Sequence, residues 1–165
     1  MSFLYEVPEE KQELLELSYT IFTDGSCDLH STSRQGGWAA VIEDNKRRRT
    51  VLQGKASDTT NNRMELQAIL EALKVVRDNL DERKMKYATV NLYTDSTYCS
   101  NALREWIYVW ERDGFAGRPN ADLLQQLLVL VRHLDKVLHI NWVPRNSNDM
   151  MTLVDRLANE ERLKP

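Results

Sequence analysis

The sequence predicts a mixed β-sheet with helices packed on its faces, an α/β (α+β) fold, and three observations predict it. Three strand-like segments follow one another before any long helix, and helical and strand-like patterns alternate after them. The chain has 165 residues, 42% of them hydrophobic, enough for one substantial core, and no linker-like stretch divides it.

The elements follow in order. After an acidic lead-in with a short helix over 11–17, strands are predicted from YTIFTDGS at Tyr19, GGWAAVIE at Gly36 and RRTVLQGKA at Arg48. The polar stretch Glu43 to Lys46 suits a hairpin turn between the second and third. A long helix runs from Asn61 to Asn79, because steps of three and four from position 65 reach Ile69, Ala72, Leu73 and Val76. The apolar strand ATVNLYTD, 88–95, precedes a helix from Ser96 through Trp110. A loop bearing Gly and Pro, Asp113 to Asn120, separates it from the helix ADLLQQLLVLVRHL. A last strand, VLHINWV, passes through PRNSND into a helix around MTLVDRLANEERL.

Composition narrows the function classes. No apolar run is long enough to span a bilayer, and the acidic N-terminus lacks the basic start of a signal peptide, so a soluble, intracellular, cytoplasmic protein is expected. Cys27 and Cys99 have neither metal-ligand spacing nor the number of a disulfide scaffold. Twenty-two Lys and Arg against 25 Asp and Glu give a net charge of -3, so any contact with nucleic acid must be local. The densest basic run, Lys46 to Arg49, and the looser group Arg83, Lys84 and Lys86 read as solvated loops.

Four carboxylates carry the functional signal. Glu65 stands on the apolar stripe of its helix, where a bare charge needs a partner. One partner is local: Asn62 and Glu65 have capping-box spacing. Asp24 and Asp95 each end a strand, where α/β sheets place their sites, although Asp-Gly also starts turns and Asp95 or Ser96 could cap the next helix. If Asp24, Glu65 and Asp95 converge, a cation must offset their repulsion. An all-oxygen set with no matching His or Cys selects a hard ion, Mg²⁺ or Mn²⁺, and suits metal-dependent phosphodiester hydrolysis. Asp155, in LVDRLANE, is a candidate fourth member, with a surface helix aspartate as the alternative.

The order TDGSC, GGWAAVI, TTNNRMELQA, YTDSTY, the WIYVW helix and a late VDRLA closely resembles ribonuclease H of type 1, from about Tyr19 to Glu160. The resemblance implies a five-stranded mixed sheet of order 3-2-1-4-5, with 19–165 as the nuclease domain and 1–18 as an acidic extension. It implies hydrolysis of the RNA strand of RNA/DNA hybrids by a two-metal-ion mechanism, giving 5′-phosphate and 3′-hydroxyl ends. Asp24, Glu65, Asp95 and Asp155 would be the catalytic ligands of Mg²⁺, with Mn²⁺ a possible substitute and two ions per site in the substrate complex. Cys27, Asn61 and Asn62 would read the hybrid's minor groove, Thr60 would lie near a DNA phosphate, and Trp106 would pack on the DNA strand. For Trp106, core packing beside Ile107 and Trp110 is the alternative. A monomer with no obligate protein partner is expected.

Two departures from the family pattern stand out. Many relatives carry a histidine in the loop before the final aspartate; here VPRNSNDMMTL has none, and His30, His133 and His139 lie elsewhere. By spacing from Trp142, Asn146 is the nearest counterpart, with Arg145 beside it. The basic, aromatic protrusion of many bacterial relatives is replaced by WERDGFAGRPNADL, which sets Glu111 and Asp113 against Arg112 and Arg118, so hybrid binding is expected to be weak and sensitive to salt. These departures leave two rivals: a binding domain of the same fold without turnover, and another polynucleotidyl transferase such as an integrase or junction resolvase.

Overall fold

The structure, a computed structural model, describes residues 17–165, so the short helix expected over 11–17 lies almost wholly outside the described residues. Five strands form one mixed sheet in the order β3-β2-β1-β4-β5. They are β1 (Ser18–Cys27), β2 (Gly36–Asp44), β3 (Arg49–Ala56), β4 (Thr89–Thr94) and β5 (Leu138–Trp142). The first three form an antiparallel meander, and β4 and β5 add in parallel. This follows from the connections: short turns allow antiparallel neighbours, whereas parallel neighbours need a crossover helix.

The helices are α1 (Asn61–Asn79), α2 (Glu82–Met85), α3 (Thr97–Asn101), α4 (Ile107–Glu111), α5 (Ala121–His133) and α6 (Asp149–Leu163). A π-helical turn, Ala102–Trp106, joins α3 to α4 within the region expected to be one plain helix. The short α2 was not expected either; Asp81 starts it by accepting the N–H of Lys84 at 2.8 Å.

Alternation along the strands sorts the core into two layers. Ile21, Ala40, Ile42, Val90 and Leu92 face α1, whose Leu66, Ile69, Leu70, Leu73 and Val76 are buried against them, and the core continues through Leu103, Ile107, Leu124 and Leu127. On the opposite face, Ala39 and Val41 pack against Met151, Val154 and Ala158 of α6, with Phe22 and Tyr93 beside them. Burying each large aliphatic side chain stabilises the fold by about 1.5–3 kcal/mol before chain entropy is counted.

Two glycines set how closely the helices approach. A Cβ on Gly25 would lie 2.4 Å from the Glu65 backbone nitrogen, and one on Gly37 would lie 2.1 Å from the Ala158 carbonyl oxygen. Only a residue without a side chain lets α1 and α6 touch the strands at these points. Both contacts lie at the end of the sheet where β1 finishes and β2 begins.

Candidate active site

The aspartates are placed by strand register. Phe22 of β1 pairs with Tyr93 of β4, and their rings stack with centroids 5.4 Å apart and planes 15° from parallel. Two residues further along come Asp24, within β1 on the face of Phe22, and Asp95, just past the end of β4. The Thr23 hydroxyl donates to the Tyr93 carbonyl at 3.2 Å and ties the two strand ends together. Asp24 lies within β1, paired with Ala39, so it does not form a turn. Ser96, and not Asp95, caps α3: its hydroxyl accepts the Cys99 N–H at 3.0 Å, leaving the Asp95 carboxylate free of that task.

The capping-box alternative for Glu65 does not hold. Thr60 is the N-cap of α1, accepting the Arg63 N–H at 3.1 Å, so the cap lies two residues before Asn62 and Glu65 falls in the second turn. Gly25 then brings Glu65 against the end of β1. Glu65 is 7% exposed and Asp24 4%, and Glu65 Oε2 is buried without any hydrogen-bond partner.

Asp24, Glu65 and Asp95 each offer a carboxylate oxygen, all within 4.8 Å of one another. Burial pushes the Asp24 carboxyl up from 3.8 to about 7; a hydrogen bond with Glu65 opposes the rise and the Asp95 charge adds to it. Glu65 is held well above the usual carboxylate range, first by burial and then by the Asp24 charge. Asp95 is also raised by burial, with the Arg145 guanidinium pulling the other way. An isolated cluster of this kind resists full ionisation, and a divalent cation would supply both the missing partner for Glu65 and the charge the other two need. The donors are all oxygen, which fits Mg²⁺ or Mn²⁺.

Asp155 of α6 lines the same cavity, a recess of about 410 Å³ shared with Asp24, Glu65 and Asp95, but stands outside the tight trio. Its Oδ1 accepts from the Arg145 guanidinium at 3.2 Å. Its backbone carbonyl accepts from the Asn159 amide at 3.0 Å, and Asn159 in turn accepts from the Ser26 hydroxyl at 2.8 Å, tying α6 to β1 beside the trio.

Of the expected substrate contacts, two line the recess and three do not. Asn61 and Asn62 line the cavity. The Cys27 N–H donates to Asn61 Oδ1 at 2.7 Å, and the Cys27 thiol points at the Thr59 carbonyl at 3.4 Å. Thr60 is exposed at the start of α1, where helix N–H groups favour an anion. Trp106 is 39% exposed and packs its ring against Trp110 at 5.7 Å, so it sits at the surface and not in the core. Asn146 does not line the cavity; it occupies a left-handed turn position (φ 55°), while its neighbour Arg145 does line it. Ser26 and Tyr98 also line the recess and were given no role from sequence, and Arg145 was noted there only as the neighbour of Asn146. The signal available for Arg145 was only its place in the loop before Asp155.

Comparison with known proteins gives the family and the fold. The family model described as RNase H matches residues 16–162. The chain is 35% identical over 150 residues to the ribonuclease H of Thermoanaerobacter sp. (strain X514), covering 86% of this chain and 87% of that protein. It is 41% identical over 134 residues to the ribonuclease H of Oleidesulfovibrio alaskensis, covering 77% and 78%. Among solved structures it resembles LC9-RNase H1, a type 1 RNase H with the type 2 active-site motif, at a TM-score of 0.73 and 21% identity over 87% of this chain and 71% of that one. It also resembles LC11-RNase H1 in complex with RNA/DNA hybrid, at a TM-score of 0.62 and 20% identity over 86% and 94%. The two structural likenesses concern the fold.

Proposed function

Because the chain belongs to the ribonuclease H family, we propose that this RNA-DNA hybrid ribonuclease is a type 1 enzyme that uses Mg²⁺ to hydrolyse the RNA strand, leaving 5′-phosphate and 3′-hydroxyl ends. The observation that carries the reading is the trio of carboxylates within 4.8 Å, with the buried Glu65 Oε2 unpartnered, at the strand ends. Asp24, Glu65 and Asp95, with Asp155 completing the set, are the residues that would hold Mg²⁺, with Mn²⁺ as a substitute and two ions per site once substrate is bound. When bound, such ions supply Lewis acidity to the attacking water and to the departing 3′ oxygen.

The chain's own groups do the rest. Asp24 and Glu65 are fixed by backbone packing around Gly25, so their oxygens need little rearrangement to meet a cation. Asn61, Asn62 and the Cys27 backbone offer small polar groups on the rim, suited to 2′-hydroxyls in a shallow minor groove. Thr60 offers its helix N-terminus to a DNA phosphate, and Trp106 presents a half-open ring for the DNA sugar and base. Asn146 is not among the residues that line the recess, whereas Arg145 beside it is. The protein is read as a monomeric, intracellular enzyme whose nuclease domain spans 19–165, with the acidic extension 1–18 before it.

The test is cleavage of a hybrid with either strand end-labelled, with and without Mg²⁺, beside duplex DNA and duplex RNA. Metal-dependent cutting of the hybrid's RNA strand alone, lost in Asp95→Asn while hybrid binding persists, is the expected result. Cutting of duplex DNA, or undiminished cutting by Asp95→Asn, would overturn the assignment.

A further inference from the structure

We propose that Arg145 is a substrate-contacting residue of this site, bridging Asp155 and a nonbridging oxygen of the phosphate seated over the carboxylates; this rests on the hybrid-nuclease reading. The recess is lined by Asp24, Glu65, Asp95 and Asp155, and Arg145 is the one basic residue among its described lining residues. A phosphodiester entering such a basin meets four carboxyl groups, and a cationic side chain at the rim offsets part of that repulsion.

Geometry sets Arg145 where it can do so. One guanidinium nitrogen lies 3.2 Å from Asp155 Oδ1, and the Arg145 side chain is 69% exposed against 21% for Asp155. A guanidinium carries five N–H donors in a flat fork, so the single bond to Asp155 leaves the others for a second acceptor, and a phosphate oxygen matches that fork. The loop backbone that carries Arg145 is fixed at both ends. The Val143 N–H donates to the Thr94 carbonyl at 2.9 Å, extending the pairing of β5 with β4 up to the loop. The Ser147 N–H closes a turn onto the Pro144 carbonyl at 3.2 Å, and Asn146 takes the left-handed conformation that this turn requires. Asn148 then caps α6 by accepting the Met151 N–H at 2.9 Å. Arg145 thus stands between a strand end and a helix cap, directed at the final carboxylate of the set.

A lysine at this place would keep the charge but lose the fork, so the two substitutions separate charge from geometry. Arg145→Ala is expected to lower kcat/KM on the hybrid about 10- to 100-fold, the loss of one charge-assisted hydrogen bond, and Arg145→Lys to recover part of it. Both variants should melt near the parent, since the side chain is largely exposed.

The deciding readout is binding of an uncut hybrid across a salt series, each variant made in the Asp95→Asn background so that cleavage does not intervene. Arg145→Ala should reduce the slope of log affinity against log salt by about one phosphate contact, and Arg145→Lys should keep it. A residue that only oriented Asp155 would leave that slope unchanged. An unchanged slope, or full kcat/KM in Arg145→Ala with the parent cutting hybrid normally, overturns the role of Arg145 and leaves the nuclease reading intact. A parent that cuts no hybrid overturns the nuclease reading, and the proposal for Arg145 with it.

Discussion

Replacing Asp24 with asparagine should destroy activity and stabilise the metal-free protein. Burial moves the Asp24 carboxyl from 3.8 to about 7. At about 1.36 kcal/mol per pK unit, the ionised carboxylate costs the folded state about 4 kcal/mol above both values. The folded state binds the proton more tightly than the unfolded chain. The penalty is therefore absent below pH 4, grows as pH rises from 4 to 7, and is complete above 7. Glu65, raised in the same direction, steepens the decline. Asparagine mimics the neutral carboxyl at nearly constant volume. Allowing for relaxation around the site, Asp24→Asn should gain about 2–4 kcal/mol over the parent at pH 8 in EDTA, roughly 5–15 °C in melting temperature for a chain of this size. The assay is thermal and urea unfolding at pH 4, 6 and 8 in EDTA, repeated with Mg²⁺. The gap should close at pH 4 and narrow when Mg²⁺ stabilises the parent by binding its folded state. A variant no more stable than the parent at pH 8 in EDTA would refute the claim that like-charge crowding and burial strain this cluster.

Three further outcomes follow from the packing. Gly25→Ala would push a methyl group into the Glu65 backbone 2.4 Å away; unfolding measurements should show a loss of about 2–3 kcal/mol, and cleavage should fall by about 10²-fold as Glu65 is displaced. Thr60→Ala removes the N-cap of α1 and should cost about 1 kcal/mol in urea unfolding, while Asn62→Ala, with no capping role, should leave stability nearly unchanged. Trp106→Ala should weaken hybrid binding about 5- to 100-fold in a fluorescence titration with a small change in melting temperature; outright unfolding would mean the exposed ring is structural after all.

The element order and the position of the trio were legible because each depended on short-range pattern. Alternation in YTIFTD set the face that Asp24 occupies, the end of VNLYT placed Asp95 beside it, and the stripe through Ile69, Leu73 and Val76 set where Glu65 points. The bounds of α1 were legible, Asn61 to Asn79, but its capping residue was not. TTNN offers four residues able to cap, and the choice of Thr60 is made by the sheet end that receives Glu65 through Gly25. The π turn at Ala102–Trp106 left no local mark either, since ALREW contains neither Gly nor Pro and the wider turn is selected by packing. Arg145 was hidden for a similar reason: its approach to Asp155 depends on the loop closing between β5 and α6. Asn146 matched the family's position by spacing, but its left-handed conformation turns the chain there.

If the buried carboxylates are arranged to hold a divalent cation, the protein should bind one without substrate. Calorimetric titration of the intact protein with Mg²⁺ and with Mn²⁺ at pH 8, beside Glu65→Gln, tests it most directly. The parent should bind saturably, with proton release that grows as pH is lowered toward 7, and Glu65→Gln, which removes one ligand charge, should bind at least about tenfold more weakly. Equal affinity in the parent and Glu65→Gln would contradict it.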